Sequence, residues 1–348
     1  MASDMISNLA GLFTKERFEA LNDIHLYASD IQSEQLFNLL REAETTSLAK
    51  EYDFKTIISY QDFRERLPLT GPKALEPYIR RIENGETNLL WTGIPKQILS
   101  SFGGTSVPVS EQALAETFTQ GFYDSYIIHL HRNPYSRLFG GYFVTVGNES
   151  ELPLMDELED FLRRHEPFVI SLLNRPKYTG MVHLSDNLIK QLIKEIKVEK
   201  VSCYKGSPKS LQRLVDLAKK EDGTLPAFLT EAEILFHKTT ATSEELRLMK
   251  RDLQLPFPIQ SMYCSPEGFF GIQDYPENET FLLMLDLSQF YEFIPQDSAD
   301  NQPIPLEDTV PNVDYQLVLT NCSGLWRYLS GGPKLRFVST EPYRFLLV

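Results

Sequence analysis

A single carboxylate, Glu267, sits among aromatic and small residues in YCSPEGFFG (263 to 271), flanked by Pro266 and Gly268. Proline fixes φ and glycine tolerates positive φ, so the acid belongs to a tight turn, where it either does chemistry or bonds to nearby backbone N–H groups. A second stretch with chemical potential is SSFGGTSVPVS (100 to 110), which has glycines and hydroxyls but lacks the lysine of a P-loop. No GxSxG elbow accompanies the six histidines. His129 and His131, two apart on a predicted helix, face different directions, which predicts ordinary helix roles for both. Cys203, Cys264 and Cys322 are widely spaced with no CxxC pair, which suggests neither a disulfide framework nor a zinc site.

These residues need elements to hold them. Helical spacing of Ile31, Leu36, Leu39 and Leu40 makes residues 1 to 50 a helical entry region. From Ser110, a stripe of Leu114, Phe118 and Phe122 predicts a helix that Asn133-Pro134 stops. RLFGGYFVTVG (137 to 147) reads as a strand, and helices are expected around 153 to 173 and 186 to 197. In VSCYKGSPKSLQRLVDLAKK a short strand leads to Ser207 as N-cap and Pro208 at the first helical position, with Leu211, Leu214, Val215 and Ala218 on the buried face. AEILFHK (232 to 238) is the next strand, and Thr242 with Glu245 forms a capping box for a helix through Leu253. Strands dominate afterwards: the apolar run Phe281 to Leu285, QFYEFIP, and VDYQLVLT (313 to 320), in which Val313, Tyr315, Leu317 and Leu319 alternate with more polar neighbours. QDSADNQPIPLEDTVPN (296 to 312) reads as an exposed loop. One large domain over 1 to 348 follows, with a mixed α/β part at 51 to 260 and a strand-rich part at 261 to 348.

With 348 residues, 42% of them hydrophobic, the chain can bury a sizeable core. A formal net charge of −14 argues against nucleic acid or an anionic membrane as a partner, since both demand clustered Lys and Arg. The start has no basic flank followed by a long apolar run, and no apolar stretch is long enough to span a bilayer, so a soluble cytoplasmic protein with reduced thiols is expected.

Several short motifs recur in a fixed order: SSFGGTSVPVSEQAL, YCSPEGFF, FYEFIP (290 to 295), YQLVLT (315 to 320), GLWRY (324 to 328), and then Gly331-Gly332. In this order the chain resembles the auxin-responsive family of acyl-acid amido synthetases, adenylate-forming enzymes, over nearly its whole length and most specifically from Tyr263 to Phe337. The resemblance implies an α/β fold, the large N-terminal domain of an adenylate-forming enzyme with mixed sheets flanked by helices. It also implies activation of a small carboxylic acid by ATP and Mg²⁺ to an acyl-adenylate, followed by capture by an amine. On that analogy Ser100, Ser101, Gly103, Gly104 and Thr105 cradle phosphate, Tyr263 lies against adenine, Glu267 holds magnesium, and Ser265 and Gly268 belong to the same nucleotide site. Arg327 and Tyr328 either orient the nucleotide or, for Arg327, pair with Glu292 across the sheet.

The sequence departs from the family pattern in several places. The loop between Ser101 and Val107 is short and has no lysine, Gly332 stands where the family has a ribose-binding aspartate, and Pro266 replaces Ser or Thr ahead of the glutamate. FHKTTATS (236 to 243) lacks the glycine of the corresponding strand end, and the family's smaller C-terminal domain would lie beyond Val348. The leading expectation is therefore a degenerate synthetase. The alternatives are an active adenylating ligase that needs a separate C-terminal domain, and a regulatory protein that binds a small acid, a nucleotide or an intact paralogue.

Overall fold

The structure is a computed structural model that describes residues 10–146, 153–166, 174–175, 187, 190–191, 193–194, 200–222, 227–253, 255–296 and 301–348. Helices come first: α1 (Lys15–Asp23), α2 (Ala28–Glu42), α3 (Ser47–Glu51), α4 (Tyr60–Arg66) and α5 (Pro72–Glu83). A hairpin of β1 (Gln97–Ser100) and β2 (Ser106–Val109) follows, and then a π-helical turn, Ala113–Thr119, that runs straight into α6 (Gln120–Arg132). Ser110 caps this helix by accepting the Ala113 N–H at 2.9 Å, as its type predicts.

One mixed sheet organises the rest. Its parallel half orders β4 (Asn174–Arg175), β3 (Tyr142–Val146), β5 (Val201–Gly206), β6 (Ile234–Thr239) and β7 (Ile259–Ser265) side by side. Its antiparallel half continues through β8 (Gly268–Ile272), β9 (Phe281–Leu283), β15 (Tyr343–Leu347), β14 (Leu335–Thr340), β12 (Asp314–Asn321), β10 (Gln289–Pro295) and β11 (Ile304–Pro305), with β13 (Tyr328–Leu329) paired to β12. α7 (Pro153–Arg164) follows β3, α8 (Pro208–Asp222) with the short α9 (Ala227–Thr230) links β5 to β6, and α10 (Ser243–Asp252) links β6 to β7. Every residue of β5 and β7 is buried, the mark of strands covered on both faces. A smaller core under α8 gathers Val144, Tyr204, Leu211, Leu214 and Leu235, and the main core fills the other side.

Three expectations change. The strand expected over 137 to 147 is confined to Tyr142–Val146, because Leu138 drops fully into the core as part of a 3-10 turn, Leu138–Gly140. The stretch 296 to 312 is not simply an exposed loop: Ile304 pairs with Phe293 along the edge of β10, and Leu306 and Thr309 are buried. In β12 the alternation fades, since Val318 and Thr320 are buried along with Leu317 and Leu319 once β13 covers the strand. The helix expected over 153 to 173 is α7, with residues 167–173 outside the described residues, as is most of 186 to 197. The α8 and α10 readings hold, down to the reciprocal capping box of Thr242 and Glu245.

Candidate functional site

Pro266 and Glu267 are the two turn residues between β7 and β8, with Ser265 opposite Gly268 in register. Gly268 has no positive φ; it is needed instead because a Cβ there would collide with the Gln289 side chain. Glu267 does not face water: it is 1% exposed. The Ser101 hydroxyl donates to its Oε1 at 2.8 Å, the Ser330 hydroxyl donates to Oε2, and the Gly331 N–H also reaches the carboxylate. Its backbone is fixed as well, the carbonyl accepting Asn321 Nδ2 at 2.8 Å and the N–H donating to Ser265 Oγ at 3.2 Å. Burial outweighs the opposing bonds from Ser330, Ser101 and Gly331 and leaves the carboxyl pushed up to about 7. A carboxyl so placed exchanges its proton near neutral pH.

The other sequence-derived residues fall into two groups. Ser101, Ser265, Gly331 and Gly332 close around Glu267, with Tyr263 and Phe102 against Gly332. Tyr263 is fully buried, tilted against Phe270 at 4.9 Å between ring centroids, and its hydroxyl has no hydrogen-bond partner. Thr105 and the Tyr328 hydroxyl lie together beside this cluster. Gly103 and Gly104 form the exposed hairpin tip, with φ of 66° and 75°. Ser100 is drawn elsewhere: its N–H and hydroxyl contact the Glu157 carboxylate of α7 at 2.8 and 3.2 Å. Arg327 is buried with φ of 43° and makes two 2.9 Å bonds to Glu292, while donating to the carbonyls of Arg64 and Leu67. It is the structural pair that the sequence offered as one alternative. His129 bonds Glu233 at 3.2 Å and His131 stacks on Phe18, and no cluster of three or more potential metal ligands exists among the described residues.

A cavity of about 50 Å³ lies beyond this cluster, between α6, α7 and the parallel strands. Phe122, Tyr123, Tyr126 and Phe236 give it aromatic walls, and three cations, Arg163, Lys205 and Lys238, stand around it against one carboxylate, Glu166. Lys205 Nζ donates to Glu166 at 2.6 Å, and Lys238 Nζ lies 4.8 Å from the centre of the Phe122 ring. Arg163 also pairs with Asp160 at 3.6 Å, so at least two of the three cations already have a carboxylate partner.

Comparison with known proteins agrees with this architecture. Residues 17–178 match the GH3 family N-terminal domain and residues 282–340 the GH3 family central domain, together well over half of the chain. The chain belongs to the GH3 family. Among GH3 relatives, a jasmonoyl–L-amino acid synthetase of Nicotiana attenuata is 22% identical, covering 93% of this chain and 70% of its own. An indole-3-acetic acid-amido synthetase of Arabidopsis thaliana is 20% identical over 86% of this chain and 70% of its own. The solved structure of the GH3.15 acyl acid amido synthetase superposes with a TM-score of 0.72 at 18% identity, over 96% of this chain and 70% of that one. An open 2-hydroxyisobutyryl-CoA ligase superposes with a TM-score of 0.57 at 13% identity, over 91% and 67%. The fold is thus that of adenylate-forming enzymes, and the homologues are acyl-acid amido synthetases.

Measured against the ATP and Mg²⁺ that a GH3 synthetase implies, the Glu267 cleft as folded is a poor fit. Both carboxylate oxygens already accept hydroxyl hydrogen bonds, and Phe102 covers Gly331 and Gly332. Each oxygen keeps a second lone pair, so the obstacle is burial: at 1% exposure Glu267 has no room beside it for a magnesium ion with its waters and substrate phosphates. Sequence reading missed Phe102, Ser330, Asn321 and the cationic cavity. Ser330 stands one residue before the Gly331-Gly332 pair and was legible as a neighbour, whereas nothing local marks Phe102 or Lys238. No helix among the described residues is long and apolar enough to cross a membrane.

Proposed function

We propose that this chain is a degenerate acyl-acid amido synthetase, one that keeps the GH3 scaffold and a cavity for a small carboxylic acid while its ATP-dependent formation of an acyl-adenylate is lost or strongly weakened. The observation that carries this reading is Glu267, 1% exposed and bonded through both carboxylate oxygens to Ser101 and Ser330. The same direction is supported by Gly332 in place of an aspartate and by the absence of a lysine in the 100 to 110 stretch. Pyrophosphate exchange with ATP, magnesium and a panel of carboxylic acids tests it, with exchange expected at background. Robust exchange abolished by Glu267→Gln would sink the reading in favour of a working adenylating ligase.

A second reading, a small-acid binding protein, is favoured by the cavity. Its aromatic walls suit an apolar body, and Lys238 with Arg163 suits a carboxylate. At about 50 Å³ the enclosed part has room for roughly three or four waters, so the acid is small or the walls yield. Calorimetric titration with the same acid panel should give a binder that Lys238→Met weakens about tenfold, the worth of one charge-assisted hydrogen bond. No heat with any acid at millimolar concentration would exclude this role.

A further inference from the structure

Where the resemblance places a nucleotide, the cleft holds a side chain of its own. Phe102 stands on the loop between β1 and β2, partly buried and packed against the main core. A Cβ built on Gly331 would stand 2.7 Å from the Cβ of Phe102, and one built on Gly332 would stand 3.0 Å from its ring and 2.8 Å from the Tyr263 hydroxyl. The contact therefore exists because positions 331 and 332 carry no side chains. The two glycines form a floor that meets the Phe102 Cβ at Gly331 and the edge of its ring at Gly332.

Two independent observations mark this floor as a place for something else. The Tyr263 hydroxyl reaches Gly332 while fully buried and without a hydrogen-bond partner, a deficit that a ligand acceptor would remove. The loop that carries Phe102 also ends in open space, since a Cβ on Gly103 or Gly104 would meet nothing within 4 Å. Beyond hydrogen bonds internal to the loop, it is held by the Ser101 bond to Glu267, the contact of Thr105 with the Tyr328 hydroxyl, and the Phe102 ring itself.

We infer that Phe102 is a built-in plug, whose ring takes the place on Gly331-Gly332, beside the Tyr263 hydroxyl, of a planar nitrogen heterocycle such as the base of a purine nucleotide. The inference rests on the reading of the cleft as closed and deepens it by naming what closes it. A ligand that must first displace a ring bound nine-tenths of the time loses about tenfold in apparent affinity, and more if the closed share is larger.

Adenosine monophosphate, titrated calorimetrically into the full chain without magnesium or acid, tests this on wild type, Phe102→Ala and Phe102→Leu. The expected result is a Kd at least about tenfold lower in Phe102→Ala than in wild type, with Phe102→Leu between them. Variants that melt cooperatively yet bind no more tightly than wild type overturn the plug. Failure of both variants to fold overturns it too, since the ring would then be a core residue. Exchange activity in wild type sinks the closed-cleft reading whatever this ratio is, and a ratio near one with silent wild type sinks only the plug.

Discussion

Glu267→Gln keeps the shape of the side chain and removes its charge, and the surroundings of Glu267 set both the sign and the size of the effect. In the folded chain, burial raises this carboxyl to about 7 from an ordinary value of 4.5, against the opposing bonds from Ser330, Ser101 and Gly331. Between those two values the folded chain keeps a proton that the unfolded chain releases. The acid therefore adds stability below pH 4.5, and that stability drains away as pH rises through 7. The interval of the shift, at 1.36 kcal/mol per pH unit, amounts to about 3 kcal/mol. Glutamine is neutral throughout, and its amide can still accept one serine hydroxyl and donate to the other. The variant should match wild type near pH 4.5 and exceed it by about 3 kcal/mol at pH 8. Urea unfolding followed by tryptophan fluorescence at the two pH values measures the difference directly, and pH effects common to both proteins cancel. A variant less stable than wild type at pH 8, or a difference independent of pH, would refute the account of Glu267 as a charge buried at a cost.

Other substitutions test the supports of the site. Arg327→Met leaves Glu292 buried beside only the Tyr60 hydroxyl and should lower unfolding free energy by about 3–5 kcal/mol, read from the urea midpoint. Adding Glu292→Met should recover much of that loss, because the stranded charge goes with it. His237 is buried, and burial followed by the charges of Lys250 and Lys238 pushes it down to about 3 from 6.5. It stays neutral in the fold while the unfolded chain takes up a proton, so its contribution is present above pH 6.5 and is lost as pH falls toward 3. His237→Asn should flatten the acid limb of a circular-dichroism titration, and an unchanged limb would contradict this. Thr242→Ala removes the hydroxyl that accepts the Glu245 N–H at 3.3 Å and should cost about 1 kcal/mol in thermal or urea unfolding.

Much of this fold could be read along the chain because its signals are local. The Thr242–Glu245 box, Pro208 at a helix start and the buried face of Leu211, Leu214, Val215 and Ala218 each depend on neighbours within a turn or two, and all appear where expected. The ordered motifs from YCSPEGFF to GLWRY carry the family for the same reason, since each is a short stretch read without knowing its partners. Tertiary structure alone decided what those residues do. Ser101 lies 166 positions from Glu267 and Ser330 lies 63, and they meet only because a hairpin and the end of β13 fold over one turn. Lys205 and Lys238 line one cavity because β5 and β6 run side by side, and Arg327, just ahead of β13, meets Glu292 of β10 because both strands pair with β12. Phe102 looks like a turn residue in sequence and becomes a ring over two glycines only in three dimensions. Whether Glu267 is charged at neutral pH depends on how much water reaches it, and burial is a property of the whole packed chain.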